Sequence, residues 1–432
     1  MSRRASKTRF LTGFRKRLLY ARVALHVVGR AALDVLRGRM APWTAVRYLR
    51  RARLFLRAVR HSKVAVRGGR YKLHLYIPAY PTPAFWHALE KLRRPDPGPV
   101  TVVLSMTRAC TYRCPHCYQA RDRGKDLPME TLVKSAKAMQ DAGVSLFDIE
   151  GGEPLLRADR MADLAAALDE RAEIWMNTTG AKLTGEKLDR LMAAGLAGVM
   201  VSIHSPDARV HDAFTRVPGS FDVACEALEE FGRRGAFTVV NCCPTPETVR
   251  DGGVERILDL AARYDCDFVQ IIHGKQAGGW LGETDDVYGG EDLIGRLRRL
   301  HVERNRTPGS PSVSAQVFEE QAELFGCTAG AVDRFYVGAD GEVQPCEFLN
   351  LSFGNVAEED FETILARMRG HFARPRSDWL CVTQAGAIGA LIEKKGLTRT
   401  PVPWEHAREL VENWDRGEET PLYRKLGIYE EP

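Results

Sequence analysis

The chain has 432 residues, of which 44% are hydrophobic and 27% charged, the balance of an ordinary soluble protein with room for two or three domains. Ten cysteines, with no cleavable signal sequence expected, point to a reducing cytoplasm rather than a disulfide framework. The net charge of +6 hides an asymmetry, because residues 1–70 carry +19 with Asp34 as their single acid and the remaining residues carry −13.

From Phe10 to Leu36 the pattern is apolar but regularly interrupted. Arg22, His26, Arg30 and Asp34 fall four apart and form one polar stripe on a helix. Leucines and valines, Leu19 and Val23 among them, fill most of the remaining circumference. The interruptions rule out a clean apolar span of about 20 residues, so no transmembrane helix is expected. A second basic stretch, Trp43 to Arg60, mixes aromatic and aliphatic residues with six arginines. Three readings stay open for residues 1–62: a helical hairpin packed on the body, a helix docked on an anionic membrane surface, or a basic arm on nucleic acid.

Residues 63–77, with Gly68-Gly69 at their centre, predict a β-hairpin, because the glycine pair supplies the positive φ angles of a tight turn. A short helix begins near Trp86. Pro95, Pro97 and Pro99 close this 63–98 segment as a linker.

Next comes an apolar run, residues 100–105, followed by Cys110-Thr-Tyr-Arg-Cys114-Pro-His-Cys117. Three thiolates so spaced can close on one face of a 4Fe–4S cube and leave the fourth iron open. A structural zinc site, which needs four ligands, is the competing reading of the spacing. A second apolar run leads into Gly151-Gly-Glu-Pro154, and a third into Asn177-Thr-Thr-Gly180. Strand-like runs at 100–105, 144–149, 172–177, 198–203, 237–242 and 267–272 alternate with helical segments near 129–142, 158–170, 184–194, 221–234, 251–264 and 289–304. That alternation predicts a parallel sheet with helices outside it.

Over residues 99–308 this pattern resembles the radical S-adenosylmethionine (SAM) superfamily, in which the cysteine motif follows the first strand and the Gly-Gly-Glu-Pro turn the second. The resemblance implies an α/β fold, a partial (βα)6 barrel carrying the basic N-terminal segment and a small C-terminal iron–sulfur domain. It implies a 4Fe–4S cluster held by Cys110, Cys114 and Cys117 whose open iron chelates SAM. Reductive cleavage would release a 5′-deoxyadenosyl radical that takes hydrogen from the substrate, while the protein supplies positioning and exclusion of water. By the same resemblance Gly151, Gly152, Glu153, Pro154, Asn177, Ser202 and Arg216 are expected to bind SAM. His204 is expected near ribose or substrate and Gln270 near adenine. No catalytic side chain is assigned.

Residues 335–346 form a second hairpin with an Asp-Gly turn that ends on Cys346. With Cys327 and Cys381, this region (309–390) resembles the SPASM or twitch extension and implies an auxiliary 4Fe–4S cluster. No cysteine follows Cys381, which excludes a two-cluster array. Cys225, Cys242, Cys243 and Cys266 fall in helix or strand patterns and are expected in the core. Residues 391–432 are expected as a tail.

The substrate is expected to be an organic molecule, membrane-associated or lipid-like. A flavodoxin or ferredoxin is the expected electron donor, and the place is the cytoplasm, peripheral on the inner face of the membrane. A peptide-modifying maturase is the alternative enzyme. A non-catalytic nucleic-acid-binding metalloprotein is the alternative from another class, with nucleic acid the least favoured partner.

Overall fold

The computed structural model describes residues 9–94, 98–122, 124–282, 287, 289–372 and 374–427. The chain begins with a short strand, β1 (Arg9–Leu11), then two helices, α1 (Gly13–Leu36) and α2 (Pro42–Ala58), and the hairpin β2 (Val64–Arg67) and β3 (Arg70–Lys72). Gly68 and Gly69 both have positive φ, +53° and +77°, as a two-residue hairpin turn requires.

Six parallel strands follow at the positions their apolar runs predict: β4 (Thr101–Ser105), β5 (Leu146–Glu150), β6 (Glu173–Thr178), β7 (Leu196–Ser202), β8 (Phe237–Cys242) and β9 (Phe268–Ile271). The sheet does not stop there. A seventh parallel strand, β10 (Ser312–Ala315), pairs with β9. On the other edge β11 (Arg334–Val337) pairs parallel with β4, and β12 (Val343–Gln344) pairs antiparallel with β11. The cysteine-bearing hairpin of the C-terminal region is therefore hydrogen-bonded into the barrel sheet. Among the described residues the order is β10-β9-β8-β7-β6-β5-β4-β11-β12, an open sheet whose two edges do not pair.

The N-terminal hairpin fills the floor of this open barrel. Ala65, Leu75 and Ala79 form one apolar cluster with the inward residues Leu146, Trp175, Met200, Phe237 and Phe268. Two buried ion pairs fix the hairpin to the starts of strands. Lys72 Nζ lies 2.5 Å from Glu173 Oε1, and Arg67 Nε lies 2.5 Å from Asp267 Oδ2. Glu173 also accepts from Trp175 Nε1 at 2.7 Å and Ala79 N at 2.6 Å, so its carboxylate is fully engaged.

The carboxylate of Glu319, buried beside β10, accepts from His74 Nε2 at 3.0 Å and from Ser314 Oγ at 2.9 Å, with His61 Nε2 at 3.7 Å. His301 completes a trio with His61 and Glu319 close enough for a metal ion. However, the His301 Nδ1 accepts from Ala315 N at 3.2 Å, so its proton sits on Nε2 and that nitrogen offers no lone pair. This cluster fastens the N-terminal segment to the last strand of the barrel.

Helix α1 packs on the body by a single face, one of the three arrangements its sequence left open. Leu19, Val23, Val27 and Ala31 are the residues it buries, a stripe one residue wide. The polar stripe beside it engages the body too: His26 Nδ1 meets Tyr80 Oη at 2.6 Å, Asp34 pairs with Arg93 at 2.5 Å, and Arg30 lies 4.7 Å above Trp86. Leu19 and Val23 are thus core residues of the folded chain and are unavailable to a membrane. No helix among the described residues is long and apolar enough to cross one.

The C-terminal residues after 390 also pack. Ala407, Val411, Leu422 and Leu426 are buried, and the buried Arg51 guanidinium of α2 donates to Leu426 O at 3.1 Å and to Gly427 O.

Breaking one partner of a buried pair strands the other charge, which costs about 3–5 kcal/mol. Lys72→Met is therefore expected to lower stability by that amount in urea denaturation. Arg171→Ala, at the exposed pair with Asp169, is expected to change it by under about 1 kcal/mol.

Candidate active site

The carboxyl ends of β4–β8 open into a cavity of about 900 Å³. The loop after β4 brings Cys110, Cys114 and Cys117 to its wall, Cys110 exposed and the other two half-buried. The loop buries Tyr112 and packs Tyr118 against Tyr336 and Phe348, and backbone hydrogen bonds hold its course. Gly152 N donates to Thr107 O at 2.6 Å and Glu153 N to Ala109 O at 2.8 Å. A Cβ on Gly151 would stand 2.5 Å from Thr107 O, and one on Gly152 would stand 2.3 Å from Ala109 O. Glycine is required here by contact with the cysteine loop itself. On the other side Gly279 N donates to Cys117 O at 2.9 Å, and a Cβ on Gly279 would meet Pro115 O at 2.2 Å. The loop is clamped between two glycine turns, and only the first was legible in the sequence.

The other expected SAM-binding residues divide. Gly151, Gly152, Asn177, Ser202 and Arg216 line the cavity, as does His204, but Glu153 and Pro154 do not. The Glu153 carboxylate is buried and accepts from Thr178 Oγ1 at 2.5 Å, Thr179 N at 2.8 Å and Leu155 N at 3.0 Å. It ties the glycine turn to the end of β6 and so positions the cysteine loop from behind. Asn177 Nδ2 donates to Asp148 at 3.2 Å and to Glu150. Arg216 holds φ +60° at the end of the helix Ala208–Thr215, a conformation uncommon for a residue with a side chain. Gln270 does not reach the cavity, because its amide donates to Tyr76 Oη at the barrel floor.

Glu150 and His116 line the cavity without a sequence signal of their own. Glu150, the last residue of β5, accepts from Tyr118 Oη, and burial pushes its carboxyl up to about 7. Burial also pushes His116 down to about 4 and His204 well below the imidazole range, so both rings face the cavity neutral. Cys243 lines the cavity as well, whereas Cys242 is buried in the core as expected. Successive residues at the end of β8 point to opposite faces, which explains the difference.

Without metal, burial first and then the neighbouring cysteines push Cys114 up to about 12. Burial pushes Cys117 up to about 11. Iron must displace these protons on binding. Three thiols carried by one loop to the cavity wall suit the three-cysteine donor set of a 4Fe–4S cluster with one open iron.

The second set forms the far side. Cys346 ends the β12 hairpin, Cys381 sits on the helix Leu380–Thr383, and Cys327 N donates to Arg376 O at 2.8 Å. All three are buried, and Cys381 lies in charge range of both Cys327 and Cys346. Burial and the Glu347 carboxylate, to which Cys346 Sγ donates at 3.1 Å, push the Cys346 thiol up against a smaller opposing pull from Arg334, while Lys275 opposes burial at Cys381. Glu347 and Phe348, next to Cys346, line the same cavity as the first cysteine set.

A sequence profile of the radical SAM superfamily matches residues 104–270, and one of the SPASM iron–sulfur cluster-binding domain matches residues 327–381. The chain is similar to a probable GTP 3′,8-cyclase of Archaeoglobus fulgidus, 33% identical over 288 residues, 62% of this chain and 93% of that one. It is similar to an AdoMet-dependent heme synthase of Nitratidesulfovibrio vulgaris, 26% identical over 323 residues, 69% of this chain and 86% of that one. Structures of Streptococcus suis SuiB share the fold at 17% identity. Bound to S-adenosylmethionine, SuiB gives a TM-score of 0.53 over 69% of this chain and 75% of its own. Bound to the precursor peptide SuiA it gives 0.52 over 64% and 66%. The chain belongs to the radical SAM superfamily and carries a SPASM domain. It is an enzyme whose cofactors are a 4Fe–4S cluster and SAM, with auxiliary iron–sulfur in the SPASM domain.

Gly152→Ala is expected to unseat the cysteine loop, because the clash is with backbone that has no rotamer to escape into. Iron bound at the first site after anaerobic reconstitution should fall to background, with the SPASM-domain iron retained.

Proposed function

We propose that Cys110, Cys114 and Cys117 hold the SAM-binding cluster and that the substrate occupies the cavity between them and the Cys346 wall. The observation that carries this reading is one cavity lined by all three cysteines of the first set and by Glu347 and Phe348 beside the second. Bound there, the cluster and SAM supply a 5′-deoxyadenosyl radical that abstracts hydrogen from an unactivated carbon. The chain's share is to orient SAM through Asn177, Ser202, Arg216 and the glycine turn. The barrel floor, closed by the N-terminal hairpin, keeps water from the reacting carbon. Cys327, Cys346 and Cys381 hold one auxiliary 4Fe–4S cluster.

The substrate we favour is membrane-associated or lipid-like, handled in the cytoplasm at the inner face of the membrane, with a flavodoxin or ferredoxin as electron donor. The wide apolar surface of the basic N-terminal segment supports it. A second reading, peptide maturation, is supported by the likeness in fold to SuiB bound to its precursor peptide.

Reduced, reconstituted enzyme is expected to release 5′-deoxyadenosine from SAM, and Cys110→Ala, Cys114→Ala or Cys117→Ala to abolish release. Undiminished release by any one of the three would overturn the ligand assignment. Wild-type chain should bind about eight irons and the triple variant about four, since each cluster holds four. A folded triple variant without iron would refute the auxiliary site.

A further inference from the structure

Nine large hydrophobic residues are exposed among the described residues, and eight of them fall between residues 14 and 46. On α1 they are Phe14, Leu18, Leu25, Val28, Leu33 and Leu36; Trp43 and Val46 follow in the first turns of α2. Phe14 and Leu25 are each 71% exposed, Leu36 83% and Trp43 68%. At 3.6 residues per turn Phe14, Leu18, Leu25 and Leu36 fall within about 40° of one another. Ala21 and Ala32, also exposed, continue the same face. It lies on the side of the helix away from the buried Leu19, Val23, Val27 and Ala31. Arg17 flanks it on one side, and Arg15 and Arg22 on the other. Arg37, Arg39, Arg47 and Arg50 are exposed around the α1–α2 turn.

Charge selects the occupant. The spacing Phe14, Leu18, Ala21, Leu25, Val28, Ala32 would suit a second copy in a coiled coil, but flanking acids are needed to pair across such a seam. Residues 9–60 contain one acid, Asp34, and it is bound to Arg93. Two copies would set arginine against arginine. Nucleic acid would satisfy the arginines and leave the apolar face wet. An anionic bilayer satisfies both, the apolar side chains entering the acyl boundary and the guanidinium groups meeting headgroup phosphates.

We infer that α1 and the start of α2 form a docking face for an anionic lipid surface, with Phe14, Leu18, Leu25, Leu36 and Trp43 as the inserting residues. This deepens the proposed membrane-associated substrate and is separable from the radical chemistry, which does not use these residues.

The test is flotation of full-length protein with vesicles of equal parts phosphatidylglycerol and phosphatidylcholine, beside vesicles of phosphatidylcholine alone. Wild type is expected to float with the anionic vesicles and at least about tenfold less with the neutral ones. Leu18→Glu with Leu25→Glu should cut anionic-vesicle binding by about tenfold or more, with an unchanged melting temperature and unchanged 5′-deoxyadenosine release. Phe14→Ser with Leu36→Ser is the second variant should the first fold poorly, and the same loss is expected. Leu19→Glu with Val23→Glu should instead lower the melting temperature. Wild type that ignores anionic vesicles at low salt would overturn the inference. So would folded face variants that float like wild type, or lipid-free wild type that sediments as a dimer abolished by Leu18→Glu with Leu25→Glu. None of these three results would touch the assignment of SAM cleavage, which 5′-deoxyadenosine release measures by itself.

Discussion

The backbone contact between the cysteine loop and the Gly151-Gly152 turn is the constraint on which the rest of the site depends. The loop that keeps three thiols at the cavity wall buries Tyr112 and packs Tyr118 edge-on against Tyr336 and Phe348, but these rings do not fix the path of its backbone. It is therefore held by carbonyls and amides, Thr107 and Ala109 on one side and Cys117 on the other. Such close approach is open only to partners without Cβ atoms. Glu153 then serves as the rivet behind the turn, its carboxylate saturated by Thr178, Thr179 and Leu155. The motif that identifies the family is in this chain first a device for geometry.

The opposite end of the barrel obeys a different economy. Its floor is sealed by a hairpin whose apolar residues are few and small, and charge supplies the register. Glu173 and Asp267 stand at the starts of two strands and accept Lys72 and Arg67 from the hairpin. A buried pair of this kind adds less net stability than its short distance suggests, because both ions lose water. What it does enforce is a single seating, since any other would leave an ion unpaired. The seat of the N-terminal segment is thus specified electrostatically, while α1 is held by the thin stripe of Leu19, Val23, Val27 and Ala31 and α2 by Ala45, Tyr48, Ala52 and Leu56.

Much of this was legible in the sequence, and the gaps have physical causes. The six strands and six helices of the barrel announce themselves because a strand buried on both faces reads as a continuous apolar run. Ser312–Ala315 gives no such run: it is half serine, and its pairing with β9 is a matter of tertiary context. The pairing of β11 with β4 joins residues more than two hundred positions apart, beyond any local pattern. On α1 the periodicity revealed a polar stripe, but with leucine and valine on nearly every other side it could not say which stripe meets the body. Glu150 and Tyr118 are ordinary letters until the fold sets them together. Cys243 was findable in principle from strand alternation, one step from the core residue Cys242.

The grip of Arg51 on the carbonyls of Leu426 and Gly427 spans almost the whole chain. Its guanidinium is buried, and it also donates to Leu92 and Arg94 carbonyls within the N-terminal segment. During synthesis α2 emerges from the ribosome long before residues 426 and 427. Until they arrive, one of the few deeply buried arginines of the protein lacks two of its carbonyl acceptors. Helix α2 therefore waits through the synthesis of the 375 residues that follow Arg51 up to Leu426 before it reaches its final packing.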